Sequence, residues 1–395
     1  RCGCLVTGSQ NLVGKELIPM SPASTPSAES PAARLRRPFA RALTAGIGLA
    51  LAGASLVACS SEGEPSGSDD QIKVVASTTQ ICDYVKQMDL SEVDLTCLLA
   101  PNASAHELEM THEQLKATSE AELLLVNGVD LEHFLSNAIE SSGFKGNMLV
   151  TTGVLTASDV KEKPKQIEDA DNGDYKIDRG IEQVDVAPWP FPPEEPGEEP
   201  EFTYDPHVWT SPKNAKVQVA NIGYALEKIA DERGDEAMKK AISEGVKSYQ
   251  DKLDDLDEWT RESFATVKDP ILFTSHDAFG YLSKEYGIDF IGAALSDFSD
   301  QQDATADHIR KAAETVRKSG ATALFAENSN NSKSIEAIAK AAGVKAVVGD
   351  DALYGDSLGP AGSAGETYIS SIIHNVTTLV EAWDGKLADL PESLK

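Results

Sequence analysis

The sequence predicts an α/β protein of two lobes, each with a mostly parallel four-stranded sheet flanked by helices, the lobes being joined by one long rigid helix. Two observations carry this. Eight short apolar runs fall into two groups of four with helical stretches between them, and one long amphipathic span without proline separates the groups. Parallel neighbours require a crossover, so strand and helix alternating twice over favours two mostly parallel sheets. The 395 residues leave room for two ordinary domains and a sizeable core.

Taken in order, the chain begins with a leader. Four arginines stand between Arg34 and Arg41, and an uncharged run of small apolar residues follows from Ala42 to Ala58. The run is short for a membrane span and ends Leu56-Val57-Ala58-Cys59, a small-residue cleavage site with a cysteine directly behind it. Residues 1–58 are therefore expected to be a removed export signal. Residues 1–19 precede Met20 and read as an over-long start. Residues 59–71 are a polar Gly- and Pro-containing tether with no apolar side chain to pack, so the folded body is expected to begin near Ile72.

In the first lobe, residues 72–233, the strand candidates are Ile72–Ser77, Val93–Leu99, Leu123–Asn127 and Met148–Thr152. A segment at 165–203 breaks the rhythm. Glu168 to Glu201 holds twelve acidic residues against Lys176 and Arg179, with six prolines, and reads as an exposed mobile loop. The span 234–267 carries Met238, Ile242, Val246, Tyr249, Leu253, Leu256 and Trp259 at steps of three or four, which predicts a single helix acting as a strut. The second lobe, 268–395, contributes Ile271–Ser275, Phe290–Leu295, Ala323–Ala326 and Ala346–Val348.

Lys and Arg total 35 against 64 Asp and Glu, a formal charge of -29, and the leader takes away more basic than acidic groups. A surface so acidic repels nucleic acid, which is excluded as a partner. Behind the leader only Cys82 and Cys97 remain besides Cys59. A lone pair in an oxidising compartment favours a disulfide, with two buried thiols as the alternative.

Seven histidines occur, and three end strands or sit in loops. His106 lies in PNASAHELEM after the second strand, His207 in YDPHVW ahead of a helix, and His276 closes ILFTSH. Asp356 follows the last strand in YGDSLG. Ligands in open α/β sheets bind beyond the carboxyl ends of the strands, so these four side chains are candidates to converge between the lobes. His112, His133, His308 and His374 fall on helical stretches and read as surface or packing residues.

The cysteine site resembles the bacterial lipobox, in which Cys59 would become the lipid-bearing first residue. The whole of Ile72 to about Trp383 resembles the metal-binding solute receptors of ABC transporters that serve zinc and manganese uptake. Their first ligand segment is similar to PNASAHELEM, which keeps the Pro, His106 and Glu109 but lacks the Asp-Pro before the His and the Tyr after it. The second stands intact as DPHVW, the third matches TSHDAFGYLSKEYGI with His in the position that many manganese members fill with Glu, and the fourth maps to Asp356 in GDSLG.

The resemblance implies a metal held in the interlobe cleft by His106, His207, His276 and Asp356, in a lipid-anchored monomer on the outer face of the cytoplasmic membrane. The expected partners are a permease and its ATPase. Three imidazoles and one carboxylate suit zinc first, and manganese, which prefers more oxygen, second. A shell closed by four side chains leaves no open position for an activated water, so no enzymatic turnover is expected. Two other roles fit the same fold: a surface adhesin, and a zinc hydrolase using Glu109 or Glu327 as base.

Overall fold

The computed structural model describes residues 71–106, 108–161, 170–171, 174–191, 202–294 and 305–395. Cys59, the leader and the tether lie outside the described residues. The first lobe supplies β1 (Ile72–Ala76), α1 (Thr79–Gln87), β2 (Val93–Cys97), α2 (His112–Glu120), β3 (Leu123–Val126), α3 (Leu135–Ser142), β4 (Asn147–Val150), β5 (Ala170–Asp171) and β6 (Lys176–Asp178). Two long helices follow, α4 (Pro212–Arg233) and α5 (Glu236–Phe264). The second lobe holds β7 (Ile271–Thr274), α6 (Gly280–Tyr286), β8 (Asp289–Ala293), α7 (Ala306–Ser319), β9 (Ala323–Phe325), α8 (Lys333–Ala342), β10 (Lys345–Val347) and α9 (Tyr368–Ala382).

The second sheet runs β10-β9-β7-β8, wholly parallel, with a register shift between Leu272 and Phe273. The first sheet runs β2-β1-β3-β4-β6-β5 and has six strands rather than the expected four. The extra pair comes from the segment read as an exposed loop: β6 pairs parallel to β4, and β5 turns back antiparallel on β6. Composition averaged over an acidic stretch hides the few side chains that pack. Ile177, Val184, Val186 and Phe202 are buried, and the two charged residues that follow Ile177 find partners outside the segment. Asp178 meets Lys228 Nζ at 3.0 Å, and Arg179 meets Asp159 at 2.9 Å.

Period-two alternation sets the layers. Val74, Ala76, Leu123, Leu125 and Leu149 face one way into the largest core, while Val75, Leu124, Val126, Met148 and Val150 face a separate cluster under α2 and α3. In the second sheet Leu272, Ala323 and Phe325 join that same large core, and Phe273 and Leu324 turn to a third cluster with α7 and α8. One continuous apolar core thus runs from the first sheet through α4, α5 and α9 to the second. Burial of Met238, Ile242, Tyr249, Leu253, Leu256 and Trp259 fixes the face of α5, whose 29 residues span about 43 Å at 1.5 Å each. Asp235 caps it by accepting from the amides of Ala237 and Met238. Among the described residues no helix is long and apolar enough to cross a membrane. The sulfurs of Cys82 in α1 and Cys97 at the end of β2 are bonded, with Cα atoms 5.7 Å apart.

Candidate metal centre

Loops after β2, β7 and β10 and the stretch before α4 bring their side chains together. The stretch after β2 carries His106 and is held by the Asn102 amide donating to Leu358 O at 3.0 Å. His207 sits at the start of a single helical turn, Val208–Thr210, before α4. His276 follows β7, with its amide donating to Glu327 Oε1 at 2.7 Å. Asp356 stands in the loop after β10. Each of these four offers a ligand atom, and all four atoms lie within 4.8 Å of one another. Their side chains are 4%, 0%, 5% and 2% exposed in chain order, so solvent is excluded.

Five of the separations fall between 3.1 and 3.6 Å. His207 Nε2 lies 3.1 Å from His106 Nε2 and 3.2 Å from His276 Nε2. Asp356 Oδ1 is 3.4 Å from His207 Nε2 and 3.5 Å from His276 Nε2, while Oδ2 is 3.6 Å from His106 Nε2. A tetrahedral ion with bonds of about 2.0 to 2.1 Å sets its ligand atoms about 3.3 to 3.4 Å apart. The five separations are near the edge length of such a polyhedron, whose corners the ligand atoms would occupy.

Partners behind the ligands choose the tautomers. His207 Nδ1 lies 2.7 Å from Asp205 Oδ1, which also accepts the His207 amide at 2.9 Å. His276 Nδ1 lies 3.1 Å from Asp277 Oδ1. Both carboxylates hold a ring hydrogen on Nδ1 and turn Nε2 inward, the arrangement found behind ligating imidazoles. Ser104 Oγ donates to Asp356 Oδ2 at 3.3 Å and orients it.

Charge is distributed unevenly. Burial drives the pKa of His106 down to about 3, against the pull of Asp356. Burial also opposes charge on His276, but the Asp356 charge and the hydrogen bonds to Asp277 and Asp356 prevail and hold it well above the usual imidazole range. Asp356, resisted by burial, is kept ionised by His276 and His106. Burial pushes Glu327 up to about 8. The His276 imidazole is thus held in its charged form against the Asp356 carboxylate.

The remaining candidates separate from the cluster. Glu109 is exposed, and Glu327 is engaged with the His276 amide, so the structure gives neither a place beside an open coordination position. His112 and His308 lie on α2 and α7, and His374 on α9 meets Ala352 O at 3.0 Å. His133 is not helical as expected but stands in the turn before α3, against the Phe202 ring. The segment reading missed the supports: Asp205, Asp277, and an aromatic wall in which Trp189 and Phe202 pack on the His207 and His106 rings. An acid two residues before one ligand and one residue after another was the available signal for the first two.

Comparison with known proteins shows the family and the fold. Residues 74–382 match the family described as zinc-uptake complex component A, periplasmic. The metal ABC transporter substrate-binding lipoprotein SsaB of Streptococcus sanguinis is 27% identical over 84% of this chain and 96% of its own. The manganese ABC transporter substrate-binding lipoprotein PsaA of Streptococcus mitis is 26% identical over 82% and 94%. The periplasmic zinc-binding protein TroA of Treponema pallidum shares the fold, with a TM-score of 0.60 and 24% identity over 78% of this chain and 98% of that one.

Proposed function

The chain belongs to the zinc-uptake complex component A family, and from that membership we propose that His106, His207, His276 and Asp356 enclose one divalent cation, zinc before manganese. It is an extracytoplasmic substrate-binding receptor of a metal ABC importer, not an enzyme, and it works with a permease and its ATPase. In the same reading Cys59 carries the lipid that holds a monomeric receptor to the outer face of the cytoplasmic membrane.

The observation that carries the ligand assignment is the set of 3.1–3.6 Å separations among inward-facing nitrogen and oxygen atoms. Three neutral imidazoles and one carboxylate favour zinc, because manganese ranks well below it at nitrogen-rich sites. Manganese is the second reading. Both Asp356 oxygens face ligand imidazoles, so a bidentate carboxylate adds the fifth donor that an oxygen-preferring ion uses. A relative named for manganese points the same way.

Each lobe gives two ligands, so a bound ion stabilises the closed arrangement, and release needs part of the wall to move. The shared core through α4, α5 and α9 keeps that movement small. Elemental analysis of the protein with zinc and manganese in competition tests the choice. One zinc per chain that equimolar manganese does not displace supports it, and displacement by manganese transfers the assignment to that ion.

A further inference from the structure

Trp209, the last residue of the second ligand segment, reaches the opposite lobe with both its side chain and its backbone. It lies two residues after His207, is buried, and its ring centroid stands 5.4 Å from the His207 ring in an edge-on arrangement. Its indole Nε1 donates to Gly355 O at 2.9 Å, and its own carbonyl accepts from the Tyr368 hydroxyl of α9 at 2.7 Å. Gly355 directly precedes Asp356. The Gly355 carbonyl also accepts from Gln80 Nε2, at a longer 3.4 Å.

The Gly355 peptide has little freedom beyond what this bond allows. A Cβ there would meet Glu327 Oε2 at 2.1 Å, so the backbone runs tight against the carboxyl group whose other oxygen holds the His276 amide. The path from His207 through Trp209, Gly355 and Asp356 joins a ligand of one lobe to a ligand of the other, and Glu327 ties the third. We propose that Trp209 is a positioning residue for the metal centre, its indole N–H fixing the Gly355–Asp356 peptide so that the carboxylate reaches the cation and slows its departure. This deepens the metal-receptor reading and rests on it.

The tie crosses between lobes, so it exists only when they are together. Losing it therefore acts on the cation's leaving and not on its arrival. That separates positioning from a merely structural role, which would lower the melting temperature without dividing the two rates.

The test is stopped-flow zinc uptake and zinc release into excess chelator for the wild type, Trp209→Phe, Tyr368→Phe and Asp356→Ala. Phe keeps the packed ring and deletes the donor. Trp209→Phe is expected to raise the dissociation rate about fivefold, the effect of one buried hydrogen bond, with the association rate within twofold of wild type. A dissociation rate within twofold of wild type, or an equal loss in the association rate, overturns the proposal. If Trp209→Phe does not fold, Tyr368→Phe decides: faster release supports the tie and unchanged release overturns it. A wild type that takes up no zinc, or an Asp356→Ala variant that binds as tightly as wild type, defeats the ligand assignment itself and the proposal with it. Tight wild-type binding with unaltered Trp209→Phe kinetics defeats the proposal alone.

Discussion

Replacing Asp205 separates the two things its carboxylate does. One oxygen accepts both the His207 amide at 2.9 Å and the Nδ1 hydrogen at 2.7 Å, which fixes the ring and its tautomer. The other oxygen has no hydrogen-bond partner among the described residues and lies where a Cβ on Gly280 would come within 2.3 Å, so no alternative group substitutes for the charge. Asp205→Asn keeps an acceptor of the same shape and removes the charge, while Asp205→Ala removes both. Partners behind metal-bound imidazoles are worth about 10- to 100-fold in affinity, or about 1.4 to 2.8 kcal/mol. The Asn variant is expected near the lower figure and the Ala variant near the upper. Competition against a chromophoric zinc chelator measures both. Affinities within twofold of wild type in both variants would refute the orienting role, and an Asn variant weaker than the Ala variant would refute the separation of charge from geometry.

Other outcomes follow from the same geometry. Because His276 keeps its proton above the usual imidazole range and must lose it to bind a cation, zinc binding should release protons and weaken as pH falls; calorimetry in buffers of different ionisation enthalpy measures it, and zero release contradicts it. Zinc at 100 times its dissociation constant should add about 2.7 kcal/mol and raise the melting temperature by about 4 °C, read by scanning calorimetry, whereas no shift would mean no selective binding to the folded state. Replacing Cys82 and Cys97 by Ser should cost about 3 kcal/mol, given their separation of 15 residues, and denaturant titration of oxidised and reduced protein checks it. Leu256→Ala on the buried face of α5 should cost about 2 to 5 kcal/mol in the same assay.

Much of the architecture was legible because burial writes itself into periodicity. Leu123–Val126 and Ile271–Thr274 are short apolar runs sandwiched on both faces, and the three-four spacing from Met238 to Trp259 is the buried stripe of α5. β5 and β6 were not legible. Ile177 is a lone apolar residue among acids, and what makes Asp178 tolerable in a sheet is Lys228, fifty residues away. The four candidate ligands stood out by their places after strands or, for His207, ahead of a helix, and by their motif segments, and the structure brings them together. Their supports did not stand out, since whether Asp205 and Asp277 face imidazole nitrogens depends on local turns that composition does not encode. Trp209 enters the sequence reading only as the last residue of DPHVW. Only the position of Gly355, nearly 150 residues later, reveals it as a tie.

A crystal structure of zinc-loaded protein, with anomalous differences recorded on either side of the zinc edge, tests the central claim most directly. The account predicts one peak, about 2.0 to 2.2 Å from Nε2 of His106, His207 and His276 and from a carboxylate oxygen of Asp356. A peak elsewhere, or none between those four side chains in protein shown to carry zinc, would contradict it.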